Sequence, residues 1–177
     1  MSSLPNKLKL FELYVNSRSI GRKAKTVTPP TLSRTTEDFR GGTMTGSVAI
    51  DLGNEPMEMS FVTGGAEYDL IKHYAEQTVD ATLLRFAAAY QCDDTNTINA
   101  IEIVVRGRVK ELDFGSQTAG ELGETTVTIS CSYYKCTKNG SVLVELDHLN
   151  CIEVINGVDR LEAVRAALGI ASVGFSF

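Results

Sequence analysis

Tryptophan is absent from this 177-residue sequence, and histidine occurs only twice. Platforms that hold single-stranded nucleic acid interleave cations with stacking aromatics, so a chain with 7% aromatic residues is poorly stocked for that work. Positive charge is in deficit as well. Seventeen Lys and Arg stand against 22 Asp and Glu, a net charge of −5, the wrong sign for gripping a phosphate backbone. No run of about 18 apolar residues occurs, which excludes a membrane-spanning helix. The start, MSSLPNKLKLFEL, has neither the apolar core nor the small-residue cleavage pattern of a signal peptide. The expectation is a product without a membrane anchor, assembled in the cytoplasm, where its four cysteines stay reduced. There is no internal repeat and no low-complexity segment.

Motifs that carry chemistry are missing too. The glycines of RGGTMTG are followed by Ser47 and Val48 rather than the Lys-Ser/Thr of a phosphate loop. Asp93, Asp94 and Asn96 lack the glycine and terminal glutamate of a calcium loop at the required offsets, so they read as a hairpin turn. Residues an odd number apart on a regular strand point to opposite faces. Cys131 and Cys136 therefore do not share a metal unless a bulge intervenes, and His148 with Cys151 makes a poor dyad. The four cysteines are expected to be packing residues. No Ser-His-Asp arrangement is visible, and the expectation is no enzyme, no metal and no cofactor.

What is present is strand pattern. With 43% hydrophobic residues, the 177 positions suit one domain with a real core. Leu8 to Val15 reads as a strand. After Pro29-Pro30, Thr31 to Gly42 reads as an extended polar loop. Met57, Met59 and Phe61 alternate with Glu58 and Ser60 in a half-buried strand closed by Gly64-Gly65. From Ala66 to Gln77 the apolar positions Ala66, Leu70, Ile71 and Tyr74 follow helical spacing, with His73 on the solvated side. Thr82 to Cys92 and the stretch from Asn99 onward form one hairpin. Thr125 to Thr137 and Ser141 to Ile155 form another around Asn139-Gly140, a pair suited to the positive backbone angles of a tight turn. A last helix has Asp159 to cap it, Glu162 in the capping-box position and Gly169 to stop it. Many strands with one internal helix and one short C-terminal helix imply a mainly β (α+β) fold, a sandwich or barrel.

The segment NAIEIVVRGRVKELDFG separates into two columns. Ile101, Ile103, Val105 and Val109 are oily, whereas Arg106, Arg108 and Lys110 set three cations on the other face. Such a stripe is a solvated strand face, a nucleic-acid platform or a protein interface. The lack of interleaved aromatics favours an interface. Arginine's planar fork suits carboxylate partners, which Asp38, Glu111 and Asp113 supply.

The runs LPNKLKLFELYVN, AKTVTPPTLSRTTEDFRGGTMTGSVAIDLG, RFAAAYQCDD, VVRGRVKELDFG, SYYKCTKNG, VELDHLN and VINGVDRLEAVRAALG, in this order, resemble the major tail tube protein of contractile-tailed bacteriophages and related tailocins. The resemblance covers Leu4 to Ile170. It departs at Pro29-Pro30, where Leu-Pro is usual, at Ala119, where Lys is usual, and in residues 171–177, an extension of the single tube domain 1–177. It implies a β-sandwich or barrel subunit with a flanking helix, six per ring, the rings stacked into a hollow tube inside the sheath. The implied partners are other copies of the chain, the tail sheath, the baseplate hub, and the tape measure and tail terminator proteins. DNA passes through the lumen without specific binding, or the tube punctures an envelope. The implied place is the virion, as its tail tube.

A ring needs a side-to-side contact that closes, and a tube needs a top-to-bottom contact that does not. Two segments are the expected interfaces. One is the loop with Arg34, Glu37, Asp38, Arg40, Gly41 and Gly42. The other is Arg106, Arg108 and Lys110 with Glu111 and Asp113. The rival from another class is a small β-barrel nucleic-acid-binding module, whose affinity would fall as salt rises.

Overall fold

The computed structural model describes residues 4–170 and is mostly β-structure. The chain begins with β1 (Asn6–Val15), β2 (Arg18–Ser19) and β3 (Ala24–Thr28), then a hairpin of β4 (Arg34–Phe39) and β5 (Val48–Asn54). Next come β6 (Met57–Gly64), a 3₁₀ helix (Tyr68–His73), β7 (Thr82–Cys92), β8 (Ile98–Asp113) and β9 (Glu124–Lys138). β10 (Ser141–Asp147), β11 (Ile152–Ile155), β12 (Val158–Asp159) and the helix α1 (Glu162–Ala167) complete it. Ten strands join in one sheet in the order β12-β11-β10-β9-β8-β7-β1-β2, with β6 and β3 branching from β9. Every named strand pairing is antiparallel.

The branch arises because β9 is long enough to serve two partners. Its first half, Glu124–Cys131, pairs with β6, and its second, Tyr133–Lys138, with β10. Alternation then puts Leu13, Met57, Met59, Phe61, Leu84, Val105 and Ile129 into a common core. Burying a side chain of this size contributes about 1.5–3 kcal/mol each. Met57, Met59 and Phe61 sit inside as their period requires. The oily column of β8 does the same, with Ile103, Val105 and Val109 buried and Ile101 packed against them. At the turn between β9 and β10, Asn139 (φ 49°) and Gly140 (φ 83°) both take left-handed geometry, the form a two-residue hairpin loop needs.

Several expectations are corrected. The stretch Thr31 to Gly42 is not a loop throughout, since Arg34–Phe39 is a strand paired with β5. Its polar side chains are exposed, so no oily column marks it. The internal helix shrinks to the six-residue 3₁₀ turn, in which Leu70 and His73 point inward. A 3₁₀ helix repeats every three residues, and those two lie three apart. His73 is accordingly buried rather than solvated, with Nδ1 3.3 Å from the Asn16 amide and 3.1 Å from Glu76. The strand expected from Ser141 to Ile155 breaks at residues 148–151, where Asp147 accepts bonds from the backbone of Leu149 and Asn150. Asp159 does not cap α1 by a capping box. Its carboxylate takes Leu161 N–H and the guanidinium of Arg165 instead.

Parity along β9 also changes. Tyr133 faces Arg106 while Cys131 faces Gly107, so Ser132 is an extra residue, a bulge. Cys131 and Cys136 are thereby returned to the same side, where Cys131 is core and Cys136 packs against it. Gly107, opposite that bulge, has no room for a side chain: a Cβ there would lie 2.1 Å from the Ser130 carbonyl oxygen.

Candidate assembly surfaces

The hairpin β4–β5 is a two-stranded sheet of its own that pairs with no strand of the main sheet. Paired residues in a ladder share a face. Phe39 is opposite Val48 and Glu37 opposite Ile50, so these four side chains project together. Phe39, Val48, Ile50 and the bulged Leu52 are all exposed. The other face carries Thr36 with Asp51 and Asp38 with Ala49. The arm is thus amphipathic, and its oily face has no cover among the described residues.

Its base is fixed by an ionic cluster. Arg34 spends its fork on the arm and the body: one nitrogen reaches Asn54 Oδ1 and Glu153 Oε2, both at 2.8 Å, and another reaches Asp51 at 2.5 Å. Asn54 donates to Glu153 as well, at 3.2 Å. Hydrogen bonds from Gly53 N–H and Arg34 hold the Asp51 carboxyl below its ordinary pKa, and Asp51 in turn holds the Arg34 guanidinium above its own. Glu153 is buried on β11, so it is a rigid anchor. At the tip, Arg40 donates to Met44 C=O at 3.3 Å and Met44 N–H to Gly41 C=O at 3.0 Å, which closes the loop on itself. The first set of expected interface residues therefore lies on one element, with Arg34 turned to the body, Glu37 and Asp38 on opposite faces, and Arg40, Gly41 and Gly42 at the tip.

The β8 stripe is divided among different tasks. Arg108 donates to the backbone carbonyl of Gln77 at 2.6 Å, pinning the segment that follows the 3₁₀ helix. Lys110 meets Glu58 at 2.5 Å, and that hydrogen bond raises its pKa. Lys110 is also a bulge residue, because Val109 pairs with Ile129 and Glu111 with Thr128. Asp113 accepts the Gly115 N–H at 2.8 Å, and Glu111 is exposed. Arg106 has an exposed guanidinium in a shallow cavity lined by Asp80, Tyr133, Asp147 and Asn150. Burial, reinforced by the bond to Glu145 at 2.8 Å, pushes the Tyr133 hydroxyl's pKa well up and keeps it a neutral donor.

Sequence reasoning missed Val48, Ile50, Leu52 and Glu153. The alternation VAIDL was legible as an amphipathic strand, but a period of two does not say whether the oily side meets its own core or another molecule. Glu153 carries no local signal, since its partners lie on the arm. Among the described residues no group of His, Cys, Asp and Glu is placed to hold a metal, and no helix is long and apolar enough to cross a membrane.

These features define a class by fold: a mainly β subunit with a projecting two-stranded arm. The chain superposes on a component of the sheath/tube terminator of an extracellular contractile injection system in its extended state. The TM-score is 0.58 at 15% identity, over 77% of this chain and 99% of that one. For a chain of the sheath–tube complex of the same kind of system the TM-score is 0.57 at 14% identity, over 76% of this chain and 93% of that one. The sequence then narrows the class, because residues 5–169 match the model of phage tail tube protein FII, and the chain belongs to that family. It is 43% identical over 171 residues to the tail tube protein of Escherichia phage P2, covering 95% of this chain and 99% of that protein. It is 35% identical to the major tail tube protein of Serratia phage KSP20, covering 95% and 98%. It is a tail tube protein of the contractile type, in a family of structural proteins rather than enzymes.

Proposed function

We propose that the chain forms hexameric rings that stack into the inner tube of a contractile tail. In the virion that tube is a conduit for DNA ejection or the rod that punctures an envelope. One observation carries the reading. The arm β4–β5 displays Phe39, Val48, Ile50 and Leu52 to solvent, an apolar face that a free monomer gains nothing by exposing and that a neighbouring copy would cover. Arg106 and Glu111, exposed on β8, supply polar contacts elsewhere on the subunit. The sheath, baseplate hub, tape measure and terminator are the further partners that such a tube requires, and it is assembled in the host cytoplasm.

Six copies at −5 each carry about −30 per ring, so DNA is repelled rather than held by the assembly as a whole. The nucleic-acid-module reading loses ground because Arg108 and Lys110 are engaged inside the subunit. Negative-stain microscopy of the purified protein tests the proposal. Hollow rods or six-fold rings are expected, and Ile50→Asp should abolish the rods while leaving the monomer folded. Persistent monomers whose DNA affinity falls with salt would favour the module instead.

A further inference from the structure

We infer that the end of the subunit opposite the arm is a socket for the arm of a second copy, centred on Tyr68, Phe114 and Leu122. This rests on the tube reading above and names the partner surface for the contact that stacks one ring on the next.

The socket is built by the 3₁₀ helix and the loop after β8. At three residues per turn, Tyr68, Ile71 and the following Tyr74 fall on one ridge, and all three are exposed while Leu70 and His73 face inward. Phe114 stacks on Tyr68, with ring centroids 4.6 Å apart and planes 24° from parallel. Leu122, 72% exposed, lies over the chain at Gly64 and Gly65. Gly65 N–H donates to Gly123 C=O at 2.6 Å, which ties the two segments together. A stacked aromatic pair beside a bare leucine and isoleucine is an apolar patch already organised before anything covers it.

Topology sets this patch and the arm at opposite ends. The arm leaves the sheet between the end of β3 and the start of β6, where Thr28 pairs with Ser60. The socket segments join at the far end of β6, where Gly64 pairs with Glu124. Eight residues of strand separate the two, roughly 23 Å at strand rise. Two different sticky surfaces at the two ends of one subunit make a head-to-tail contact, which repeats without closing when successive copies stack along one axis.

Charge agrees with the pairing. The socket is rimmed by exposed Glu111, Asp113 and Glu121, and the arm's tip carries Arg40 in a loop, residues 40–47, that contains no carboxylate. An arm laying Phe39, Val48 and Ile50 against Tyr68, Phe114 and Leu122 would bring Arg40 to that acidic rim. A second copy is thus the partner that fits in oil and, at the tip, in the charge of Arg40, while Glu37 on the same face adds one carboxylate.

The test uses the full chain in single variants. Leu122→Asp should leave rings but shorten rods at least tenfold in micrographs, with an unchanged thermal melt because the side chain is exposed. In addition, Leu122→Cys protein mixed with Ile50→Cys protein should give a disulfide-linked dimer on a non-reducing gel that neither variant gives alone. Rods of full length from Leu122→Asp, or rods from the mixture with no linked dimer, overturn the socket. Full-length rods from Ile50→Asp overturn the arm as an interface, whereas a chain that forms no multimer at any concentration overturns the tube reading itself.

Discussion

Arg34 and Glu153 are 119 residues apart in the chain, yet Arg34 Nη1 lies 2.8 Å from Glu153 Oε2. That contact ties the projecting arm to the body, and Asn54, also on the arm, meets the same carboxylate. Arg34→Ala should leave the buried Glu153 with one weaker partner and cost about 1–3 kcal/mol, the range for an under-satisfied buried acceptor. The arm should loosen more than the core. Hydrogen exchange would show it as faster exchange in residues 34–54 with β7 and β8 unchanged. Equal protection across the arm in both proteins would contradict the anchoring role.

Gly107 predicts the most local loss of stability. Its missing Cβ would sit 2.1 Å from Ser130 O and 2.9 Å from Ile129 Cγ2, and the first of these belongs to a backbone held in the β8–β9 ladder. Gly107→Ala forces those strands apart at the bulge. A loss of about 1–3 kcal/mol in a urea unfolding curve is expected, as for other overpacked sites. A neutral substitution would mean the bulge moves freely.

Acid stability should depend on Asp159. Its hydrogen bonds, above all from Arg165 and also from Leu161 N–H, hold its folded pKa below 3.8. The stability it contributes is therefore complete above the unfolded value and is lost as pH falls through the folded one. Asp159→Asn should be less stable than the parent at pH 7, and the two unfolding curves should converge as pH falls through the lowered folded pKa. A gap that persists in acid would assign the effect to packing rather than to charge.

Thiol reactivity should follow burial. Burial pushes the Cys131 thiol up to about 11, so its thiolate is scarce at neutral pH. Iodoacetamide at pH 7.5 should reach the half-buried Cys136 and Cys151 first, and Cys131 only in denaturant. Mass spectrometry of partially labelled protein decides it. Early labelling of Cys131 would show that β9 opens readily.

Charge reversal on β8 separates the stripe's members. Arg108→Glu should free the segment at Gln77 and Thr78 and destabilise the monomer, because its donor bonds to those carbonyls are lost. Arg106→Glu should leave the melt unchanged and weaken assembly. Both together should reduce rods in micrographs; unchanged polymerisation by the double variant would remove β8 from the interfaces.

What the sequence by itself determined is the part of the fold carried by neighbours in the chain. Alternation placed Met57, Met59, Phe61, Ile103, Val105 and Val109 inside, and Asn139-Gly140 set the hairpin turn, because these depend on period and local backbone geometry alone. The ordered set of motifs placed the chain in its family. Only the tertiary structure decided where period fails or partners are remote. The bulge at Ser132 put Cys131 and Cys136 on one side, since one inserted residue inverts parity, and no local rule announces the insertion. Tyr68, Ile71 and Tyr74 faced out because the turn closed at three residues rather than 3.6. The cations of the stripe parted because Glu58 and the carbonyl of Gln77 come within reach only when distant segments meet. The oily column of the arm stayed bare for the same reason: a strand's pattern states that one face must be covered, and only the assembled fold shows that no described residue of the subunit covers it.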